Sequence, residues 1–183
     1  MGALKFRVLL DSEKDKEIFR DILIDENDNF ESLFQSIMKS FQFQGEEMAS
    51  FYVSNDNWDK GHEISLVDIN YGDEAIDEKA SVMSQAIIND FIEANDQKLI
   101  LVYDFMRMWI FLIELVEKVD KKVSIPEVAL SVGMAPPEDS KNPNFEEENQ
   151  TFDEDEFDED DEFGFNEYED GYDSDDYSNY DDY

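Results

Sequence analysis

The last 39 residues, 145 to 183, hold 20 Asp or Glu and ten aromatic residues, and they contain no Lys, Arg, Leu, Ile, Val or Met. Ordering a backbone costs roughly 1–2 kcal/mol per residue, and this composition has too little aliphatic surface to offset that cost while its like charges repel. The segment is expected to be disordered, so any fold has to be built by residues 1 to 144. That portion keeps 29 acidic residues (49 less 20) against all 14 basic ones, or −15 of the total −35. A stretch of about 140 residues is long enough to bury a core of its own. The expected organisation is therefore one domain over residues 1–144 and an acidic, aromatic tail over 145–183.

A net charge of −35 excludes binding to nucleic acid through an ordinary basic patch, so no direct nucleic-acid contact is expected. The chain has no cysteine, which excludes disulfides, thiolate metal sites, iron–sulfur clusters and thiol nucleophiles. Its first residues, MGALKFRVLLDSEKDKE, turn acidic at once and lack the apolar core of a signal peptide. The longest apolar stretches, Leu99 to Tyr103 and Trp109 to Ile113, fall far short of the ~20 residues of a membrane helix. A cytoplasmic protein without a membrane partner is expected.

Leu4, Phe6, Val8 and Leu10 follow the period-two pattern of a strand with one buried face. Ile18 to Ile24 reads as its hairpin partner beyond a charged turn. Phe30, Leu33, Phe34, Ile37, Met38 and Phe41 line one face of a helix, with Asp28 and Glu31 as its capping box and Gly45 as its stop. Ala49 to Ser54 reads as a third strand, followed by a polar loop containing Trp58 and His62. A second helix is expected from Val82 to Ala94, capped by Ser81, with Val82, Ala86, Ile87 and Phe91 inward. Leu99 to Phe105 and Trp109 to Val116 are too apolar for an edge and belong at the centre of the sheet. From Pro126 onward, prolines and a glycine predict an irregular segment packed on the domain. The fold class is α+β: an antiparallel or mixed sheet of about five strands with two main helices.

Two segments go beyond generic pattern: Leu101 to Glu117, which carries Tyr103-Asp104-Phe105 and Trp109, and Val132 to Asp139, which carries Gly133, Pro136, Pro137, Glu138 and Asp139. With the order of elements around them, they resemble the plasmid pRiA4b ORF-three-like family over roughly residues 3 to 145. This chain departs from the family pattern at Met106 and Arg107, where Gly-Asp is usual, and at Phe111, where a His is usual. It also departs at Ser140, Lys141 and Asn142, where Gly-Gly tends to follow Pro-Pro-Glu-Asp. The resemblance implies an α+β domain of poorly defined function, some members of which accompany mobile elements.

Read from the residues themselves, most of these motifs serve structure. Tyr103, Phe105 and Trp109 are expected in the core. Asp104 either bonds a turn amide or pairs with Arg107. Pro136, Pro137, Glu138 and Asp139 are expected to form a rigid extended clamp over the sheet. His62, alone among acids in a loop, reads as a solvated residue. There is no Gly-x-Ser-x-Gly, phosphate loop or dinucleotide fingerprint, so no catalytic residue, cofactor or metal is expected. DEDEFDEDDE lacks the order of a calcium loop and offers only weak, nonspecific oxygens.

The tail reads either as a solubilising polyanion or as an interaction arm in which Phe152, Phe157, Phe163, Phe165, Tyr168, Tyr172, Tyr177, Tyr180 and Tyr183 supply contact area and the acids supply attraction. The expected function is that of a non-enzymatic interaction or accessory protein, its tail binding a basic protein surface such as that of a nucleic-acid-binding protein, a ribosome or a polymerase. The alternative is a degenerate enzyme or small-ligand domain with a site near Asp104, Arg107 and Glu138.

Overall fold

The chain divides into Met1–Glu146 and Glu147–Tyr183. The structure, a computed structural model, describes residues 2–12, 17–68 and 82–143, all in the first unit. Seven strands make one antiparallel sheet: β1 (Ala3–Leu10), β2 (Phe19–Asp25), β3 (Ala49–Ser54), β4 (Lys60–Ser65), β5 (Lys98–Tyr103), β6 (Trp109–Val119) and β7 (Glu127–Val132), in the order β4-β3-β5-β6-β1-β2-β7. The 11-residue β6 stands at the centre and pairs with β1 on one side and β5 on the other.

Because side chains alternate along a strand, each central strand sends every second residue to one face. Phe6, Val8, Ile22, Phe51, Leu101, Phe111 and Ile113 lie there, all fully buried. The one α-helix among the described residues, α1 (Phe30–Phe41), covers this face with its six-residue apolar stripe. Aromatic pairs join the layers: Phe30 meets Phe51 at 5.1 Å, Phe34 meets Tyr103 at 6.0 Å, and Phe41 meets Phe111 at 5.0 Å between ring centroids. On the opposite face Arg7 forks onto the buried Asp21, Nε to Oδ1 at 2.8 Å and Nη2 to Oδ2 at 2.9 Å.

The sheet has seven strands, where about five were expected. The two additions are its edges. Strand β4 contains His62, expected in a loop, and Gly61, where a Cβ would come within 2.7 Å of the Val53 carbonyl oxygen. Strand β7 begins directly after Pro126, an allowed place for proline because an edge strand leaves half its backbone groups unpaired.

The second helix is not formed. Residues 82–94 contain turns and a short 3-10 segment, Ile88–Phe91, and the buried residues are Met83, Ala86, Ile88 and Phe91, with Ile87 only half-buried. Their backbone groups are taken by the turn that leads into α1. The Ala86 and Met83 carbonyls accept from the Phe30 and Glu31 amides, while the Ile88 and Asn89 amides donate to the Asp28 and Glu26 carbonyls. Ser81 lies outside the described residues.

Both helix ends differ from expectation by a few residues. The N-cap is Asn29, not Asp28, its side chain accepting from the Ser32 amide at 2.9 Å. The C-cap is Gln42 in the left-handed region at φ 62°, ahead of Gly45 at φ 75°. The chain leaves the helix early because Phe43 is itself buried, 5.0 Å from the Trp109 ring and 6.0 Å from that of Phe111.

Phe105 also departs from expectation. Strand β5 stops at Tyr103, so Phe105 sits in the turn at 45% exposure, whereas Trp109 is 4% exposed. Trp109→Ala is therefore expected to cost about 3–5 kcal/mol, and Phe105→Ser to stay within about 0.5 kcal/mol of the parent. Urea unfolding midpoints of the two variants check this, and equal losses would contradict the placement.

Candidate functional site

The two segments that stand out in the sequence meet at one end of the sheet. Strands β5 and β6 are joined by a tight turn in which Asp104 and Met108 adopt positive φ, 56° and 55°. Asp104 is 4% exposed, yet its carboxylate is fully employed: Oδ1 accepts from the Met106 and Arg107 amides, each at 3.1 Å, and Oδ2 from Arg107 Nη1 at 3.1 Å. The two roles open to Asp104 from the sequence are thus filled together.

From the other segment, Pro137 remains extended, but Glu138–Ser140 then forms a 3-10 turn in place of a fully extended clamp. This turn brings Glu138 to the end of β5. Tyr103 Oη donates to Glu138 Oε1 at 2.5 Å, the Gln44 amide donates to Oε2 at 2.7 Å, and Trp109 Nε1 donates to the Glu138 carbonyl at 3.1 Å. One residue thereby ties β5, β6 and the segment after α1. Burial, and then the neighbouring carboxylate, push the Tyr103 phenol up to about 12. Asp139 and Pro137 are exposed and Pro136 is half-buried.

The positions that depart from the family pattern hold one another. Arg107 Nε donates to the Lys141 carbonyl at 3.1 Å, and Lys141 Nζ donates to the Met108 carbonyl at 2.5 Å while lying 5.5 Å from the centre of the Trp109 ring. Phe111, where the family usually has a His, packs among Phe41 and Phe43 and offers no polar atom. Asp104, Arg107 and Glu138 are therefore engaged with partners in the chain. His62 stacks on Phe91 at 5.5 Å. Among the described residues no group of three or more His, Asp or Glu side chains converges as a metal site would require, and no helix is long and apolar enough to cross a membrane.

The first half of the same segment does something different. Gly133, Met134 and Ala135, with Arg20 and Gln42, line a cavity of about 380 Å³. Gly133 is at φ 75°, and a Cβ there would lie 2.6 Å from the Glu17 carbonyl oxygen, so the close approach of this segment to β2 requires glycine. Arg20 is 6% exposed. Its Nε donates to the Ser40 carbonyl at 3.0 Å, and its Nη1 donates to the Phe19 and Val132 carbonyls at 2.8 Å each. Its guanidinium carbon lies 4.7 Å above the centre of the Phe41 ring. Sequence reasoning missed Arg20, although a charged residue between Ile18 and Ile22, on the inward face of an otherwise apolar strand, was the available signal. The aromatic tail positions Phe152 to Tyr183 lie outside the described residues.

A family model described as Plasmid pRiA4b ORF-3-like protein matches residues 2–180, nearly the whole chain. No curated protein matches. A crystal structure of a protein of unknown function from Methanosarcina mazei Go1 is similar in fold, with a TM-score of 0.62 at 20% identity over 77% of this chain and 75% of that one.

Removing the Tyr103 hydroxyl deprives the Glu138 carboxylate of one of its two donors. Tyr103→Phe is expected to lower stability by roughly 1–3 kcal/mol, as for the loss of a hydrogen bond to a charged acceptor. The phenol's folded-state value lies above its ordinary value of about 10. Its contribution is therefore fully present below pH ~10 and is lost as pH rises toward 12. Urea midpoints should fall across that window in the parent, and more shallowly in Tyr103→Phe. Parallel pH profiles would rule the linkage out.

Proposed function

The chain belongs to the plasmid pRiA4b ORF-3-like family, and from that premise we propose that it is a non-enzymatic, cytoplasmic interaction or accessory protein whose acidic, aromatic tail binds a basic surface on a protein partner. The observation that carries this reading is the segregation of charge: 20 acids and ten aromatics with no basic residue across 145–183, against a domain that keeps all 14 Lys and Arg. Charge of one sign on such a segment speeds encounter with a basic surface, and interleaved rings supply contact area that persists when charge is screened. A ribosomal or polymerase surface, or a nucleic-acid-binding protein, has the required chemistry.

The engagement of Asp104, Arg107 and Glu138 with partners in the chain weighs against the alternative, a degenerate catalytic site at that cluster. A general acid or base there would first have to surrender bonds that hold the β5–β6 turn and the clamp.

Affinity capture with the full chain, followed by binding kinetics on the captured partner, tests the reading. Changing the ten tail aromatics to Ser at unchanged charge should speed dissociation; changing half the acids to Asn or Gln should mainly slow association and reduce the salt dependence. If neither set alters any captured partner, the tail is a solubilising polyanion and the reading fails.

A further inference from the structure

The chain has three arginines, Arg7, Arg20 and Arg107, among 49 acidic residues. Arg7 is paired with Asp21 and Arg107 with Asp104. Arg20, more buried than either, donates only to carbonyl oxygens among the described residues and lies over the Phe41 ring, with no carboxylate paired to it there. A guanidinium has five N–H donors, of which three are used here by Nε and Nη1, so the two on Nη2 remain. No described side-chain nitrogen is sealed away without a partner. Nη2 is therefore reachable, and the space beside Arg20 is the 380 Å³ cavity. Carbonyl dipoles orient the guanidinium but do not neutralise it, and a buried charge without a counter-charge is costly. Desolvation accordingly lowers the Arg20 pKa from its ordinary value.

We propose that the cavity bounded by Arg20, Gln42, Gly133, Met134 and Ala135 binds a small carboxylate with a short apolar stem, its charged end on Arg20 Nη2. A single positive charge presented through one nitrogen matches a monoanion, because a phosphate dianion would bring a second charge into an already acidic chain. Gln42 and Met134 also line the cavity, and Ala135, packed against the core, offers the stem apolar surface. The volume, about 380 Å³, lies at the lower end of the ~300–1,000 Å³ of ligand sites and has room for a short stem. The carboxylate is that of a free small acid. This site and the tail's binding to a basic partner stand independently.

The test titrates the full-length protein with propionate at constant ionic strength and follows backbone and arginine side-chain N–H resonances. Saturable shifts are expected at Gly133, Ala135 and Arg20, with propionamide, the neutral isostere, at least roughly tenfold weaker for want of a charge-assisted contact. Met134 is 90% exposed, so charge changes there leave the fold intact. Met134→Glu should weaken propionate binding severalfold and Met134→Lys should strengthen it. Absence of shifts, propionamide binding as well as propionate, tighter binding of inorganic phosphate, or an unaltered Met134→Glu affinity would each overturn the proposal.

Discussion

Among the described residues one helix covers one face of a seven-stranded sheet, and the rest of that structure follows from how it does so. A stripe of six apolar residues on α1 has a limited footprint, so the chain supplements it with Phe43 just past the helix, inserted between Trp109 and Phe111. That insertion sets the helix end. Gln42 takes a left-handed conformation to turn the backbone, which for a non-glycine residue costs on the order of 1–2 kcal/mol and is repaid by burying an aromatic ring. It also places the Gln44 amide where Glu138 accepts it. The clamp is thus a consequence of core packing two residues away.

The clamp in turn stabilises a turn that local sequence disfavours. Met108 at φ 55° has neither the glycine nor the asparagine that tolerates such geometry. Three contacts over-determine it: the Asp104 carboxylate on the turn amides, Arg107 bridging from Asp104 to the Lys141 carbonyl, and Lys141 Nζ on the Met108 carbonyl. Arg107 and Lys141 both stand where the family pattern has other residues. Arg107 donates to the Lys141 carbonyl and Lys141 to the carbonyl of the adjacent Met108, so the two departures make physical sense as a pair.

The sequence revealed the elements whose chemistry is dictated by the core and concealed those at the margins. Alternation marks β1, and apolar runs mark the inner strands β5 and β6, each flanked on both sides, while the helical period of α1 is equally strict. β4 and β7 have only one neighbour each. β7 is exposed along most of its length and β4 at its start, so Gly61 and Pro126 are tolerated there and the pattern that marks a strand is missing. The segment around Ile88 fails for the opposite reason: it has a helix-like spacing of apolar residues, but its backbone groups are bonded to the α1 approach. Phe105 misled because period two was carried two residues beyond the end of the strand. The motif residues Tyr103, Trp109 and Glu138 were legible as a group, while their mutual bonds depend on a 3-10 turn that no local spacing announces.

Arg20 shows how a residue that violates a strand's pattern becomes intelligible only in three dimensions. At its position an aliphatic side chain would continue the stripe of Ile18, Ile22 and Ile24, yet it would leave the Ser40, Phe19 and Val132 carbonyls without this donor. Those carbonyls belong to the last turn of α1, to β2 and to β7, so the guanidinium fastens the helix end to the strand that closes the sheet. A lysine would bring three donors on a rotating ammonium but not the planar fork that spans these sites. The charge is therefore accepted for the sake of the donor geometry, and Arg20 is left lining a cavity in a chain otherwise dominated by acids.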